Sequence, residues 1–366
     1  MKQTSKTASD FLVKLAEYKK LIDSDIEIYS KAVKRSTLQQ YGSSARLEID
    51  AFLDILGRGG KRIRGALTIL GYEMSGGKNR EMIIQAAKAV EMIHAYILII
   101  DDIQDRSIMR RGDKTAHIKL AEYHSKNELA GSSEHFGMSI ALDSSLAGMH
   151  AAQMILANLD VDDDLKLKVV SIINLTMTVT AHGQTNDIMN EVVADVSQED
   201  LDRVLKWKTA HYTFLNPLHV GMVLAGADCH ATDAITDYAI NTGMSFQITD
   251  DMIGVFGSEA ETGKSPMDDI KEGKRTVLAM YALNNSSSAD KNFLIQMLGN
   301  ENLTPAEFQR VKDIFVDTGA LDYARKSANN YVTLALKSLE KEKDRWTDEG
   351  VNFLREMAEF MLKRTN

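Results

Sequence analysis

Two groups of carboxylates in this 366-residue sequence have the type and spacing to do chemistry. The first is Asp101-Asp102-Ile103-Gln104-Asp105. Positions i and i+4 of a helix share a face, so Asp101 and Asp105 point together, with Asp102 about 100° away. They follow five apolar residues, Tyr96-Ile97-Leu98-Ile99-Ile100. A run that apolar is expected to be buried nearly all round, which puts the carboxylates where a buried helix emerges at a cavity mouth. The second group, Asp250-Asp251, ends the stretch Phe246-Gln247-Ile248-Thr249. One such motif alone is most often a solvated helix end; two in one chain are harder to dismiss. Clustered carboxylates repel one another and call for a cation. Oxygen donors without a cysteine set or zinc-type histidine spacing fit Mg²⁺, which also takes substrate phosphates as ligands. Facing each other across a cavity, the two groups are expected to hold several Mg²⁺ ions around one diphosphate.

Basic residues complete that reading. Gly59-Gly60-Lys61-Arg62-Ile63-Arg64 sets Lys61 and Arg64 at i, i+3 beside a glycine turn. Glycine lets an anion approach the backbone, and the two cations bind it. Alone, this would be an ordinary cationic helix start. Arg110 and Arg111 follow the first aspartate group, within reach of a bound diphosphate. Lys208-Thr209-Ala210 precedes Pro217, and Lys264, Lys271, Lys274 and Arg275 share a segment with Asp268 and Asp269. Some of these are solvent charges. His94 lies seven residues before Asp101, two helical turns on the same face. A lone histidine is as readily structural as a phosphate contact.

The elements that must position these groups read as helices. Three prolines against 18 methionines argue for an all-α chain. Residues 10–35 read as one or two surface helices, 45–57 as a half-buried one closed by Gly57, Gly59 and Gly60, and 61–73 as the next. A long helix spans 80–105, and another 165–182. Ser197 with Asp200 resembles a capping box and starts a helix through Trp207. Thr304-Pro305-Ala306-Glu307 is a cleaner start. Residues 284–291 read as a surface loop. No linker or repeat divides the chain, so residues 1–366 are expected to form one domain, with 1–40 as a helical N-terminal extension.

Bulk properties bound the rest. The net charge of −9 carries no general nucleic-acid footprint, so no nucleic-acid partner is expected. Cys229 is the only cysteine, and the N-terminus lacks an apolar signal region, which together suggest the cytoplasm. No run was read as approaching the roughly 18 apolar residues of a membrane span.

Six ordered motifs between about residues 45 and 280 carry a resemblance to the polyprenyl synthetase family, the trans-isoprenyl diphosphate synthases: GGKRIR, HAYILIIDDIQDRSIMRRG, GQTND, KTA, FQITDD and GK…DDIKEGKRT. The resemblance implies an all-α fold, a large helical bundle around a central cavity, usually a homodimer. It implies Mg²⁺-dependent condensation of isopentenyl diphosphate with an allylic diphosphate (dimethylallyl, geranyl or farnesyl) through an allylic carbocation. Carried over, Asp101, Asp105 and Asp250 are metal ligands, with Asp102 and Asp251 supporting them. Lys61, Arg64, His94 and Arg111 match the isopentenyl diphosphate site. Arg110, Lys208, Gln247, Lys264 and Lys274 match the allylic site, and Thr209 and Gln247 set oxygen dipoles near the carbocation. Tyr96, five residues before Asp101 and beside the non-aromatic Ile97, matches a chain-length floor of the geranylgeranyl diphosphate synthase type.

Gly65 stands where proline is usual, Ile100 where histidine is common, Ser144-Ser145 where Gly-Asp is common, and Gly254 where many members have a third aspartate. Farnesyl or longer-chain synthesis is the nearest alternative. A class I terpene cyclase would not need Lys61 and Arg64. A non-catalytic synthase subunit would tend to lose aspartates that this chain keeps.

Overall fold

The computed structural model describes residues 10–193, 195–258 and 265–363. Helix α1 (Asp10–Gly57) is two helical stretches, as the sequence suggests, that meet at a kink at Gly42, whose φ of 84° is non-helical. Its polar middle gave no apolar period to read. Helices α2 (Ile63–Met74) and α3 (Arg80–Gln104) follow. Asn79 caps α3 by accepting from the Met82 N–H. A two-residue turn at Arg111-Gly112 joins the small antiparallel ribbon Met109–Arg110/Asp113–Lys114. Both turn residues have positive φ, as a tight hairpin of this kind requires. Then come α4 (Ala116–Lys126), α5 (Ser133–Ala157) and α6 (Asp163–Val192), the last ten residues longer at its C-terminal end than its apolar period suggests.

The capping box at Ser197 is present and opens α7 (Gln198–Arg203). The chain then continues as a π-helix over Val204–Leu215 where an ordinary helix was expected. Extended π-helix is rare and clusters at functional sites. Helices α8 (Asn216–Leu224), α9 (Cys229–Ala234) and α10 (Thr236–Phe256) complete the cavity-forming half. The remaining helices are Asp268–Glu272, Val277–Asn285, Ser288–Met297, Pro305–Asp317, Ala320–Glu342 and Asp348–Lys363. The Thr304 capping box is present. The 284–291 loop shrinks to Ser286-Ser287, because Ser287 caps a helix by accepting from the Asp290 N–H.

Helix α3 is the centre of the larger core, its Ala86, Ala87, Ala89, Met92 and Ile99 sealed by α1, α2 and α5. One expectation is corrected here: Arg80–Gln104 is long and apolar enough to cross a membrane, its most apolar 18-residue window having a mean hydropathy of 1.6. That window is 72% buried inside the protein, as befits a core helix. A second apolar cluster joins the C-terminal half of α10 to the helices from Val277 to Ala328. The aspartate groups lie at the C-terminal ends of α3 and α10, so both leave the apolar interior at the same cavity.

Candidate active site

A cavity of about 720 Å³ opens between α3, α6, the π-helix and α10. Its lining includes the cations Lys61, Arg64 and Arg111 with His94, the carboxylates Asp101, Asp105, Asp250 and Asp251 with Arg110, Lys208 and Lys274, and the α3 residues Tyr96 and Ile97. Five residues separate Tyr96 from Asp101, about 7.5 Å at the helical rise.

The carboxylates are bound to cations from other elements. Lys208 on the π-helix bridges Asp101 of α3 at 3.5 Å and Asp187 of α6 at 2.6 Å. Burial works against its charge, but those two carboxylates overrule it and hold its pKa above the ordinary lysine value. Lys274 pairs with Asp105 at 3.0 Å, Glu272 at 2.7 Å and Asp269 at 3.7 Å, and stays charged against burial for the same reason. Arg110 gives its Nε to Asp102 at 2.6 Å and an Nη to Asp101 at 3.3 Å. Arg58 anchors the ribbon beneath it through the carbonyls of Arg110 and Lys114, at 3.0 and 2.6 Å.

Asp102 differs from its neighbours. It is fully buried, does not line the cavity, and spends its carboxylate on Arg110. Burial pushes its pKa up to about 6, with Arg110 pulling the other way. Its geometry is that of a support for Arg110. Lys264 lies outside the described residues.

Thr209 of the π-helix donates to Gln247 Oε1 of α10 at 2.7 Å, and Gln247 Nε2 donates to Asp251 at 2.7 Å. Burial and the neighbouring Asp269 raise the Asp251 carboxyl to about 7. The missing side chain at Gly254 has a local explanation: a Cβ there would run into the Asp269 carboxylate, which occupies that space. Asp269 and Asp187 both line the cavity. Sequence reading placed them only within motifs, because nothing local announces their partners Lys274 and Lys208.

Among the cations, Arg64 lies over the Tyr212 ring at 4.2 Å and donates to Thr213 at 2.7 Å. Arg111 donates to the Gly59 carbonyl at 2.6 Å, and its other Nη sits 3.5 Å from His94 Nε2. Lys61 is exposed at the rim, its ammonium 5.2 Å from the Phe360 ring centre. Burial and four surrounding arginines hold His94 well below the usual histidine pKa, so its ring is neutral and can donate one N–H to an anion. Burial and neighbouring Arg62 bring Arg111 down to about 10, still a cation at neutral pH. Ser145 donates to the Tyr96 carbonyl at 3.1 Å, so the unusual serine pair of α5 braces the helix that carries Tyr96.

Among the described residues no three His, Cys, Asp or Glu side chains converge tightly enough to hold an ion by themselves. The donors come instead from different helices around one cavity, all carboxylate oxygen. That set fits Mg²⁺ with few protein ligands and the rest from phosphate and water.

The sequence pattern of the polyprenyl synthetase family matches residues 48–315. The chain belongs to that family. It is similar to the geranylgeranyl diphosphate synthase of Saccharolobus solfataricus, 31% identical over 86% of this chain and 90% of that one. It is also similar to the geranylfarnesyl diphosphate synthase of Aeropyrum pernix, 32% identical over 78% of this chain and 84% of that one. A crystal structure of geranylgeranyl pyrophosphate synthase from Corynebacterium glutamicum, complexed with isoprenyl diphosphate and magnesium, superposes with a TM-score of 0.90 at 30% identity. It covers 96% of this chain and 99% of that one.

Proposed function

We propose that this polyprenyl synthetase is a chain-elongating prenyltransferase that condenses isopentenyl diphosphate with an allylic diphosphate to give a short all-trans prenyl diphosphate, chiefly geranylgeranyl diphosphate. The observation that carries this reading is one cavity with two anion-binding regions. His94 has Arg111 at 3.5 Å and packs on the Tyr212 ring that Arg64 also covers, with Lys61 lining the same cavity, whereas Arg110, Lys208 and Lys274 are paired with the aspartates. A lyase acting on one diphosphate needs a single such region.

Asp101, Asp105 and Asp250 would hold Mg²⁺, which when bound would supply Lewis-acid withdrawal of charge from the leaving group. Arg110, Lys208 and Lys274 add fixed positive charge where the diphosphate departs. Asp102 and Asp251 act one step back, orienting Arg110 and Gln247. The Thr209 and Gln247 oxygens turn dipoles toward the allylic carbon as it becomes positive. Lys61, Arg64, Arg111 and the neutral His94 hold isopentenyl diphosphate so that its double bond faces that carbon, which is the entropic part of the catalysis. Lys264, by its place in the motif, joins the allylic site. Tyr96 closes the path of the growing chain beside Ile97, and Tyr96→Ala is expected to give longer products; an unchanged length distribution would reject that role.

The chain works as one unit, residues 10–40 being an extension of α1, and as a cytoplasmic homodimer. Support for the dimer is an exposed apolar stripe along α6, on the side away from its buried Val169, Ile173 and Gly183. Leu167, Leu175, Met189 and Val192 fall within roughly a 100° arc and are 50–75% exposed. Leu142 and Leu146 of the adjoining α5 are about half exposed.

The test is diphosphate release by the purified protein. Release should require an allylic diphosphate, isopentenyl diphosphate and Mg²⁺ together. Release from the allylic diphosphate alone, with hydrocarbon formed, would favour a cyclase.

A further inference from the structure

The loop that carries Lys61 and Arg64 is conformationally demanding. Gly59, Gly60 and Arg62 all have positive φ, 79°, 102° and 53°. For arginine this region is unfavourable and persists only where the surroundings enforce it. They do so through Arg62 itself, whose side chain is 3% exposed. Its Nε donates to Asp23 of α1 at 2.8 Å, one Nη to the Leu56 carbonyl at 2.8 Å, and the other reaches Glu91 of α3 at 3.4 Å. Glu91, equally buried, also accepts the Gly65 N–H at 2.8 Å. That bond needs a residue with an N–H at position 65. A Cβ there would come within 2.7 Å of Ile22 Cδ1 and 3.0 Å of Glu91 Cγ. Glycine at this position is therefore part of the same arrangement.

Asp23 and Glu91 pair with the Arg62 guanidinium, and Arg62 and Glu91 reach the cavity wall beside Lys61 and Arg64. We infer that Glu91 and Asp23 are positioning residues for the isopentenyl diphosphate region of the cavity, acting through Arg62 and the Gly65 N–H to aim Lys61 and Arg64. This rests on the two-region reading of the cavity given above. It also gives the N-terminal part of α1 a task in substrate binding, because Asp23 reaches the loop from there. Gln85 and Lys88 tie the next turn of α1 to α3 through Asp25, at 3.0 and 2.7 Å.

The experiment compares Asp23→Asn and Glu91→Gln with the native enzyme, measuring KM for each diphosphate and kcat with Mg²⁺ saturating. Asp23 is the half-exposed partner, so its variant keeps the question open if Glu91→Gln misfolds. The expected result is a rise of roughly tenfold or more in KM for isopentenyl diphosphate, with kcat and the allylic KM within about twofold, as for loss of substrate positioning at one subsite. Equal changes in both KM values, or a fall in kcat alone, would mean a general scaffold role and overturn the inference. So would a lower KM for isopentenyl diphosphate, which would mean that the carboxylates merely dilute positive charge. Calorimetric titration with isopentenyl diphosphate reads the same loss as weaker binding, independent of turnover. Native protein that does not elongate would contradict the proposed function, while the titration would still decide the inference.

Discussion

Lys208 is the residue whose removal should be most damaging for its size. It joins Asp101 of α3 to Asp187 of α6 and lines the cavity. Lys208→Ala should lower kcat by about 10²–10³, the usual cost of one preorganised electrostatic contact. Steady-state turnover checks this, with circular dichroism to verify folding. A second expectation concerns pH. Ordinary aspartate titrates near 4, whereas Asp251 is raised to about 7 by burial and by Asp269. Between those values the metal-free folded protein carries a proton there that the unfolded chain lacks. This contribution to stability is therefore present at low pH and lost as pH rises through about 7. A divalent cation needs the group ionised, so binding releases that proton. Calorimetric titration of Mg²⁺ with inorganic diphosphate should be tighter at pH 8 than at pH 6, with protons released at pH 6. Equal affinity at both would contradict the coupling. The aspartates themselves were legible in the sequence because each pair follows an apolar run. Asp187 and Asp269 were not, because their significance lies in partners 21 and 5 residues away that only the fold brings together.

At the scale of elements, the π-helix over Val204–Leu215 is what places Lys208 and Thr209. Two glycines grip its backbone. An added Cβ at Gly183 of α6 would collide with the Trp207–Lys208 backbone, and one at Gly243 of α10 with Ala210. Gly183→Ala should therefore push the π-helix away from α6. The expected cost is about 1–3 kcal/mol of stability, as in other overpacked sites, together with a loss of turnover; chemical denaturation and kinetics measure the two. Caps and apolar periods made most helices readable, as at Ser197 and Thr304, where both capping boxes form. The π-helix was not readable because its register is set by close contact with α6 and α10, not by its own residues. The two stretches of α1 extend further toward each other than their apolar periods suggest, up to the kink at Gly42, because residues 36–44 are polar and exposed and carry no buried stripe.

At the scale of the molecule, α6 both contributes to the cavity wall and carries an exposed apolar stripe. If the stripe is the dimer contact, the native protein should show twice the chain mass by light scattering, and Leu175→Glu should shift it toward the monomer. A monomeric native protein would reject the contact. The central claim is that the cavity joins two substrates and stops the chain near Tyr96. Mass spectrometry of the products formed from each allylic diphosphate with isopentenyl diphosphate and Mg²⁺ tests it most directly. Geranylgeranyl diphosphate is expected as the principal product from every primer, whereas no elongated diphosphate from any of them would contradict the proposed reaction.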